Sequence, residues 1–390
     1  MEIDKIVVVD PASYSTYYSY CYVKSLADQG LNIEFLTTKF PYEEVKPPEN
    51  VKTIYFFFKI SSFLNLWFKS QLIRRMLRAL EYPFNLFALC IRLLRDKPKL
   101  VHYIWVAIPI IDLLFFKVLK AIGIKIIYTA HNPFPHELKP WHKWLYKKVY
   151  NNVDHIITLT EYVKETVLEN TSVGSEKITV IPHGDFDYIF SQVIPNRDLE
   201  LYLEKKTKGC KVVSLFGAVR PYKGLEYLIQ AFALVKEQIP NVKLFVCGKC
   251  YTDSDFYINL ASKLKLEDDI IFDFRFIPLS DFLSYLNLTH VTVLPYVDAS
   301  QSGSVVMSYK KGIPVVVTEV GGLPEMVVYG KSGIVVQSKD IVALAEGIVY
   351  VLENKYRYQR MSSFARELAS KEYSWEKIAK MVMEKVYCIS

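Results

Sequence analysis

Two long stretches of this 390-residue chain alternate short β-branched runs with segments of helical period, an order that calls for parallel strands joined by crossover helices. The first stretch predicts strands at Lys5–Val9, Asn32–Thr37, Leu100–Ile104, Ile124–Thr129, His155–Leu159 and Ile178–Ile181. Helices fall between them at Tyr17–Gln29, Ile110–Ala121 and Trp141–Val149, with Gly30 and Gly123 as stops. The second stretch predicts strands at Val212–Phe216, Lys243–Cys247, Ile270–Phe272, Val291–Leu294, Pro314–Thr318 and Gly333–Val336. Its helices are Leu225–Lys236, Phe256–Leu264, Leu279–Leu286, Gly303–Lys310 and Ile341–Glu353. Residues 184–210 lose the alternation and turn polar. The chain therefore divides into an α/β domain at 1–185, a connection with a short helix at 186–210, a second α/β domain at 211–370 and a C-terminal helix at 371–390 predicted to cross back to the first domain. Doubly wound domains bind ligands outside the carboxyl ends of their strands, so two of them facing each other make one cleft.

Half of the residues are hydrophobic (51%), enough for two cores and too many for a disordered chain. The N-terminus runs straight into Ile6–Val9 without a signal-peptide pattern, which argues against export. The most apolar segment, Tyr103–Phe116, is broken by Asp112 and closed by Lys117, too short to span a bilayer. Six scattered cysteines fit reduced thiols in the cytoplasm. Cys247 and Cys250 form an isolated C-x-x-C with no second pair and no nearby His, read as a strand end packing a small hydrophobe. No His/Cys/Asp cluster has metal-ligand spacing, so no metal is expected. The net charge of +7 is local: residues 59–99 hold nine Lys and Arg against Glu81 and Asp96. A single basic segment without recognition motifs argues against nucleic acid as a partner.

The segment Val212–Glu226 carries the strongest chemistry. Strand Val212–Phe216 runs into Gly217, then Arg220, Lys223, Gly224 and a helix, so that helix amides, a forked guanidinium and an ammonium converge on one anion. That order reads as a diphosphate cradle.

With these residues on hand, the sequence resembles the retaining glycosyltransferases of family 4, which have the GT-B fold of two Rossmann-like domains. The clearest segments are Phe216–Phe232, Leu294–Gly303, Lys311–Glu325 and Ile181–Asp185, with fainter echoes at Tyr128–Glu137, Ile271–Pro278 and Tyr373–Ile378. The resemblance assigns Arg220 and Lys223 to the donor diphosphate, where they stabilise charge growing on the leaving group. It gives the loop and helix start at Gln301, Ser302, Gly303 and Ser304 to the nucleotide and sugar, with Gly321 and Gly322 bordering the donor or simply making a tight turn. It makes His131 a catalytic-site residue touching sugar or acceptor, with His136 and Glu137 close enough to help bind acceptor; His183 divides between a hinge and a site role.

Two departures stand out. Most of the family has two glutamates here, and this chain has Ala299 or Ser300 and Met307 or Ser308 at their places, a Ser-Gln-Ser-Gly subgroup loop in which Gln301 and Ser302 take over recognition. The usual Gly-rich loop after the first strand is Pro11–Ser15, with the hydroxyls of Ser13 and Ser15 as candidate substitutes.

The expected function is a metal-independent hexosyltransferase that moves a sugar from a UDP- or GDP-linked donor to an acceptor hydroxyl with retention, in cell-surface polysaccharide or glycolipid synthesis. A sugar-nucleotide epimerase is disfavoured by the missing carboxylates, which also keep open a noncatalytic binding protein of the same fold. Segment Phe63–Arg95 adds a membrane hypothesis. Read as a helix, Phe63–Glu81 puts Gln71, Arg74, Arg75 and Arg78 on one face and Leu72, Ile73, Met76, Ala79 and Leu80 on the other, with Trp67 and Phe68 near its start; a second helix, Phe84–Arg95, follows. A basic face meeting anionic lipid places the protein peripherally on the inner side of a membrane, while an apolar face packed on the sheet is the plainer reading.

Overall fold

The structure, a computed structural model, describes residues 5–64, 70–135 and 140–388. Contacts divide the chain into two compact units, Met1–Pro182 with Trp375–Ser390, and His183–Ser374. The stretch 186–210, expected as a connection, falls within the second unit.

The first unit runs β1 (Ile6–Asp10), α1 (Thr16–Asp28), β2 (Ile33–Thr37), β3 (Lys52–Tyr55), α2 (Lys59–Leu64), α3 (Gln71–Asp96), β4 (Leu100–Tyr103), α4 (Pro109–Ala121), β5 (Lys125–Ala130), α5 (Pro140–Asn151), β6 (His155–Thr158), α6 (Glu161–Asn170) and β7 (Ile178–Val180). All strands are parallel in the order β3-β2-β1-β4-β5-β6-β7. Right-handed crossovers then put α1 on one face and α3 to α6 on the other. The sequence reading missed β3, whose polar, half-exposed residues carry no apolar run, and α6, whose polar face hides Val163 and Val167.

The second unit continues with α7 (Asp187–Phe190), α8 (Arg197–Lys206), β8 (Lys211–Phe216), α9 (Leu225–Gln238), β9 (Val242–Cys247), α10 (Ser254–Lys263), β10 (Ile270–Asp273), α11 (Leu279–Leu288), β11 (Val291–Leu294), α12 (Gly303–Lys311), β12 (Val315–Thr318), β13 (Gly333–Val336), α13 (Ile341–Glu353) and α14 (Lys355–Glu372). Its parallel sheet has the order β10-β9-β8-β11-β12-β13. After Gly321-Gly322 the chain makes one short turn, Pro324–Met326. Finally α15 (Trp375–Val382) lies on α1 in the first unit, with Trp375 against Tyr18 and Tyr22. Beyond it the Tyr387 hydroxyl meets His102 Nδ1 at 2.8 Å.

The buried strands read as unbroken Val/Ile/Leu runs because helices cover both faces of each sheet. One element departs sharply from expectation. The two basic helices of the sequence reading are a single 26-residue helix from Gln71 to Asp96 that carries Pro83 inside it. Over residues 72–80 its orientation is inverted, with Leu72, Met76 and Leu80 facing solvent and Arg74 and Arg78 half-buried; farther on, Tyr82, Leu86, Leu89 and Leu93 enter the core and Arg92 pairs with buried Glu34 at 2.7 Å. The expectation that the basic face would be outermost is corrected. An inward charge is tolerable here because Glu34, itself buried, gathers Lys5, Lys52 and Arg92. Trp67, Phe68, His136 and Glu137 lie outside the described residues.

Candidate functional site

In the second sheet the neighbours β8 and β11 run on to helices on opposite faces, which makes their carboxyl ends the topological switch point where a doubly wound sheet opens a crevice. The loops after these two strands hold most of the residues predicted to meet the donor. After β8, Gly217 adopts φ +99° and Gly224 φ +64°, left-handed values that favour glycine. Gly224 also has to be small, because a Cβ there would run into the Pro295 carbonyl oxygen of the β11 loop. The two loops are stitched by Val297 N–H donating to Tyr222 O at 2.7 Å.

Arg220 and Lys223 are both half-buried on this turn. The Lys223 ammonium donates to the Tyr296 hydroxyl at 2.9 Å and stands over the Gly217 turn, where an added Cβ would lie 3.1 Å from Nζ. Burial works against its charge, but the hydroxyls of Tyr296 and Tyr222 outweigh it and hold the pKa above the usual lysine value. Arg220 rests on the Tyr251 ring, its guanidinium carbon 4.5 Å from the centroid. Two cations are thus fixed beside one turn before any anion arrives.

The β11 loop ends in Gln301 and Ser302, and Gly303 and Ser304 open α12. Gln301 Oε1 is buried with no hydrogen-bond partner among the described residues, an acceptor left for a donor group from outside. Ser302 is the N-cap, its side chain making no cap bond. Of the positions considered for the missing glutamates, Ala299 and Ser300 are buried, and Ser308 lies under the helix bonded to Thr292 at 2.7 Å. Only Met307 is partly open. The turn bearing Gly321 and Gly322 adjoins the same loop, since Thr318 Oγ1 donates to Tyr296 O at 2.6 Å.

The sequence left His183 undecided, and the structure sets it against α12. Its Nδ1 donates to the Gly184 carbonyl at 2.7 Å, and a Cβ on Gly303 would lie 3.5 Å from Nε2. Burial pushes its pKa down to about 4, the Gly184 bond opposing, so the ring is neutral at pH 7. Because the free value of 6.5 is higher, the unfolded chain takes the proton first. His183 therefore contributes its stability fully above about pH 6.5 and loses it as pH falls toward 4. In denaturant titrations the stability gap between wild type and His183→Gln should narrow over that window; a constant gap would remove the assignment.

In the first unit the switch point lies between β1 and β4. After β1, Asp10 accepts from Ser13 N–H at 2.9 Å and from Ser19 Oγ at 2.7 Å, and its burial raises the pKa to about 6. Ser13 takes φ +50°, the conformation a glycine would supply, and its hydroxyl is spent on Thr16 at 2.6 Å. Ser13 thus supplies the left-handed backbone that a glycine would otherwise give this loop.

His131, just past β5, is buried between two rings. Trp105 stacks on it at 4.2 Å and 3°, and Tyr18 meets it edge-on at 4.8 Å. Tyr14 in turn stands edge-on to Trp105 at 5.6 Å and is the exposed ring of this aromatic cluster. His131→Phe keeps the stack and should leave Tm unchanged; kcat should fall about a hundredfold if the imidazole acts on substrate. Full activity in that variant would leave His131 a packing residue.

Residues 203–368 match the family model Glycosyl transferases group 1, and residues 17–184 match Glycosyltransferase Family 4. The chain is 25% identical over 239 residues to D-inositol 3-phosphate glycosyltransferase of Corynebacterium glutamicum, covering 59% of this chain and 56% of that one. It is 25% identical over 232 residues to the capsular polysaccharide biosynthesis glycosyltransferase CapM of Staphylococcus aureus, covering 58% and 60%. These matches span less than two thirds of either relative. The crystal structure of Anabaena Alr3699/HepE with UDP and glucose has a TM-score of 0.74 at 15% identity, over 99% of this chain and all of that one. That likeness establishes the fold, GT-B.

Proposed function

We infer that this chain, matched in its two halves by two glycosyltransferase family models, is itself a glycosyltransferase that takes a sugar from a nucleoside diphosphate donor. The observation that carries the reading is the pair Arg220 and Lys223, fixed at the switch point of the second sheet beside the loop that leads from β11 to α12. As the bond from sugar to diphosphate breaks, negative charge grows on the leaving oxygen, and cations already in place lower that barrier without reorganising. Their charge does the work a metal ion would otherwise do. Gln301, with its open acceptor, and Ser302 read the nucleotide or sugar, and Gly303 and Ser304 present backbone amides.

Retention follows in this reading from the acceptor hydroxyl attacking on the face the diphosphate leaves, with a diphosphate oxygen taking its proton. The aromatic cluster of the first unit, Trp105 and Tyr14 with His131, serves the acceptor in this reading. UDP is the first nucleotide to try, because the HepE structure holds UDP. The resemblance to CapM, a capsular polysaccharide biosynthesis glycosyltransferase, supports a place in cell-surface polysaccharide synthesis; a glycolipid acceptor and a peripheral position on the inner face of a membrane belong to the same reading and rest on the basic segment 59–99.

A noncatalytic role is the second reading, favoured by the burial of Ala299 and Ser300 where a carboxylate would meet the sugar. A screen of UDP- and GDP-hexoses with mass-spectrometric detection of transfer and hydrolysis, beside calorimetry with UDP, tests both. Turnover of one donor supports the enzyme. UDP binding with no donor consumed supports the binding protein.

A further inference from the structure

The outer face of α3 is apolar along nearly its whole length. Leu72, Met76, Leu80, Phe84, Phe87 and Ile91 recur every three or four residues, and each is more than half exposed. They form one stripe, about 28 Å long at 1.5 Å per residue. A helix at the surface of a soluble domain buries one apolar face and shows a polar one; this one buries Tyr82, Leu86, Leu89 and Leu93, holds Arg78 against the Phe58 ring at 5.3 Å and Arg92 on Glu34, and still turns a second apolar stripe to solvent. A groove of about 300 Å³ between α2 and α3 shares Leu80 and Phe84 with the stripe and adds Ile60, Leu64 and Leu77. The adjacent α4 also turns Ile110 and Leu114 outward. An apolar surface of this extent, left open by the described residues, marks an interaction site.

Charge selects the occupant. Lys59, Arg75 and Arg95 are exposed around the stripe. Glu81, the one acid between residues 59 and 95, is turned inward, accepting the Ile60 and Ser61 amides at 3.0 and 2.7 Å. A second copy docked face to face would set these cations against their own kind, whereas an anionic bilayer offers acyl chains to the stripe and phosphates to its basic edges.

We propose that α3 lies in the plane of an anionic bilayer, with its outward stripe among the acyl chains and Arg75 and Arg95 at the headgroups. This deepens the membrane part of the reading above and changes its mechanism, because apolar burial, and not a basic face alone, holds the protein. It does not depend on sugar transfer, so the vesicle assay can fail while donor turnover stands, and the reverse.

Co-sedimentation of the full chain with phosphatidylglycerol/phosphatidylcholine vesicles and with phosphatidylcholine alone, at low and high salt, is the test. Wild type should pellet with anionic vesicles and keep part of its binding at high salt, since screening reaches only the basic edges. Phe84→Asp and Phe87→Asp should each lower the partition about tenfold, with unchanged Tm and donor hydrolysis because both side chains are exposed. Phe84→Ser and Phe87→Ser give a gentler series in the same order. Equal pelleting of wild type and variants would overturn the proposal. So would a lipid-free dimer, seen by ultracentrifugation, that the same substitutions split, since the stripe would then belong to a second copy.

Discussion

Truncating Arg220 or Lys223 to alanine should lower kcat about a hundred- to a thousandfold, with a much smaller change in KM. The asymmetry follows from when the charge is needed. In the bound donor the diphosphate already carries its charge and is partly solvated, so either cation adds modest ground-state affinity. As the sugar departs, charge concentrates on the leaving oxygen, and a cation fixed in place gains most at that moment. Lys223 is fixed by Tyr296 at 2.9 Å and Arg220 by the Tyr251 face. The fold should be indifferent, because both side chains sit half-buried on a loop and neither belongs to the core of the second sheet. Lys223→Arg should recover little, since a planar fork does not fit where the ammonium stands over Gly217. Steady-state kinetics with melting curves decide it. Unchanged kcat/KM in both alanine variants would dissolve the cradle.

The cradle was legible in the sequence because every part of it is local: a strand, a glycine turn, two cations and a helix within fifteen residues. The sheets were legible for a similar reason, as strands buried on both faces need apolar residues at every position. What the sequence hid depends on partners distant in the chain. Nothing near Ser13 announces a left-handed backbone; the serine adopts it because Asp10 captures its amide. His183 reaches α12 across 120 residues, and its only local signal was the short segment Ile181–Asp185. Helix α3 misled for a different reason. Its periodicity correctly gave two faces, but periodicity carries no sign: which face turns inward depends on partners far along the chain, here the core that takes Tyr82, Leu86, Leu89 and Leu93 and the buried Glu34 on β2 that pairs with Arg92.

The donor site should prove most fragile at a residue that touches no ligand. Gly248 follows β9 at φ +148°, and a Cβ there would overlap the backbone of Gly217, its carbonyl oxygen first. Neither strand can retreat, because Gly217 N–H is bonded to Cys247 O and Gly248 N–H to Asp273 O, each at 2.9 Å. Gly248→Ala therefore forces a backbone shift in the turn that carries Lys223. Gly330 serves as the control: it also has a positive φ, +72°, but an added Cβ meets nothing within 4 Å. Gly330→Ala should cost about 1 kcal/mol from conformation alone, and Gly248→Ala several times that, lowering Tm by on the order of 10 °C. Gly217→Ala separates the remaining contribution. Its Cβ meets only the flexible end of Lys223 at 3.1 Å, so beyond the strain of its own φ the main loss should be catalytic. The expected order of Tm loss is Gly248→Ala well beyond Gly217→Ala and Gly330→Ala, while turnover at 10 °C should fall in the first two and stand in the third. A Gly248→Ala protein as stable as Gly330→Ala would mean that the strand ends of β8 and β9 are not held this closely, and the rigid placement of Lys223 would go with them.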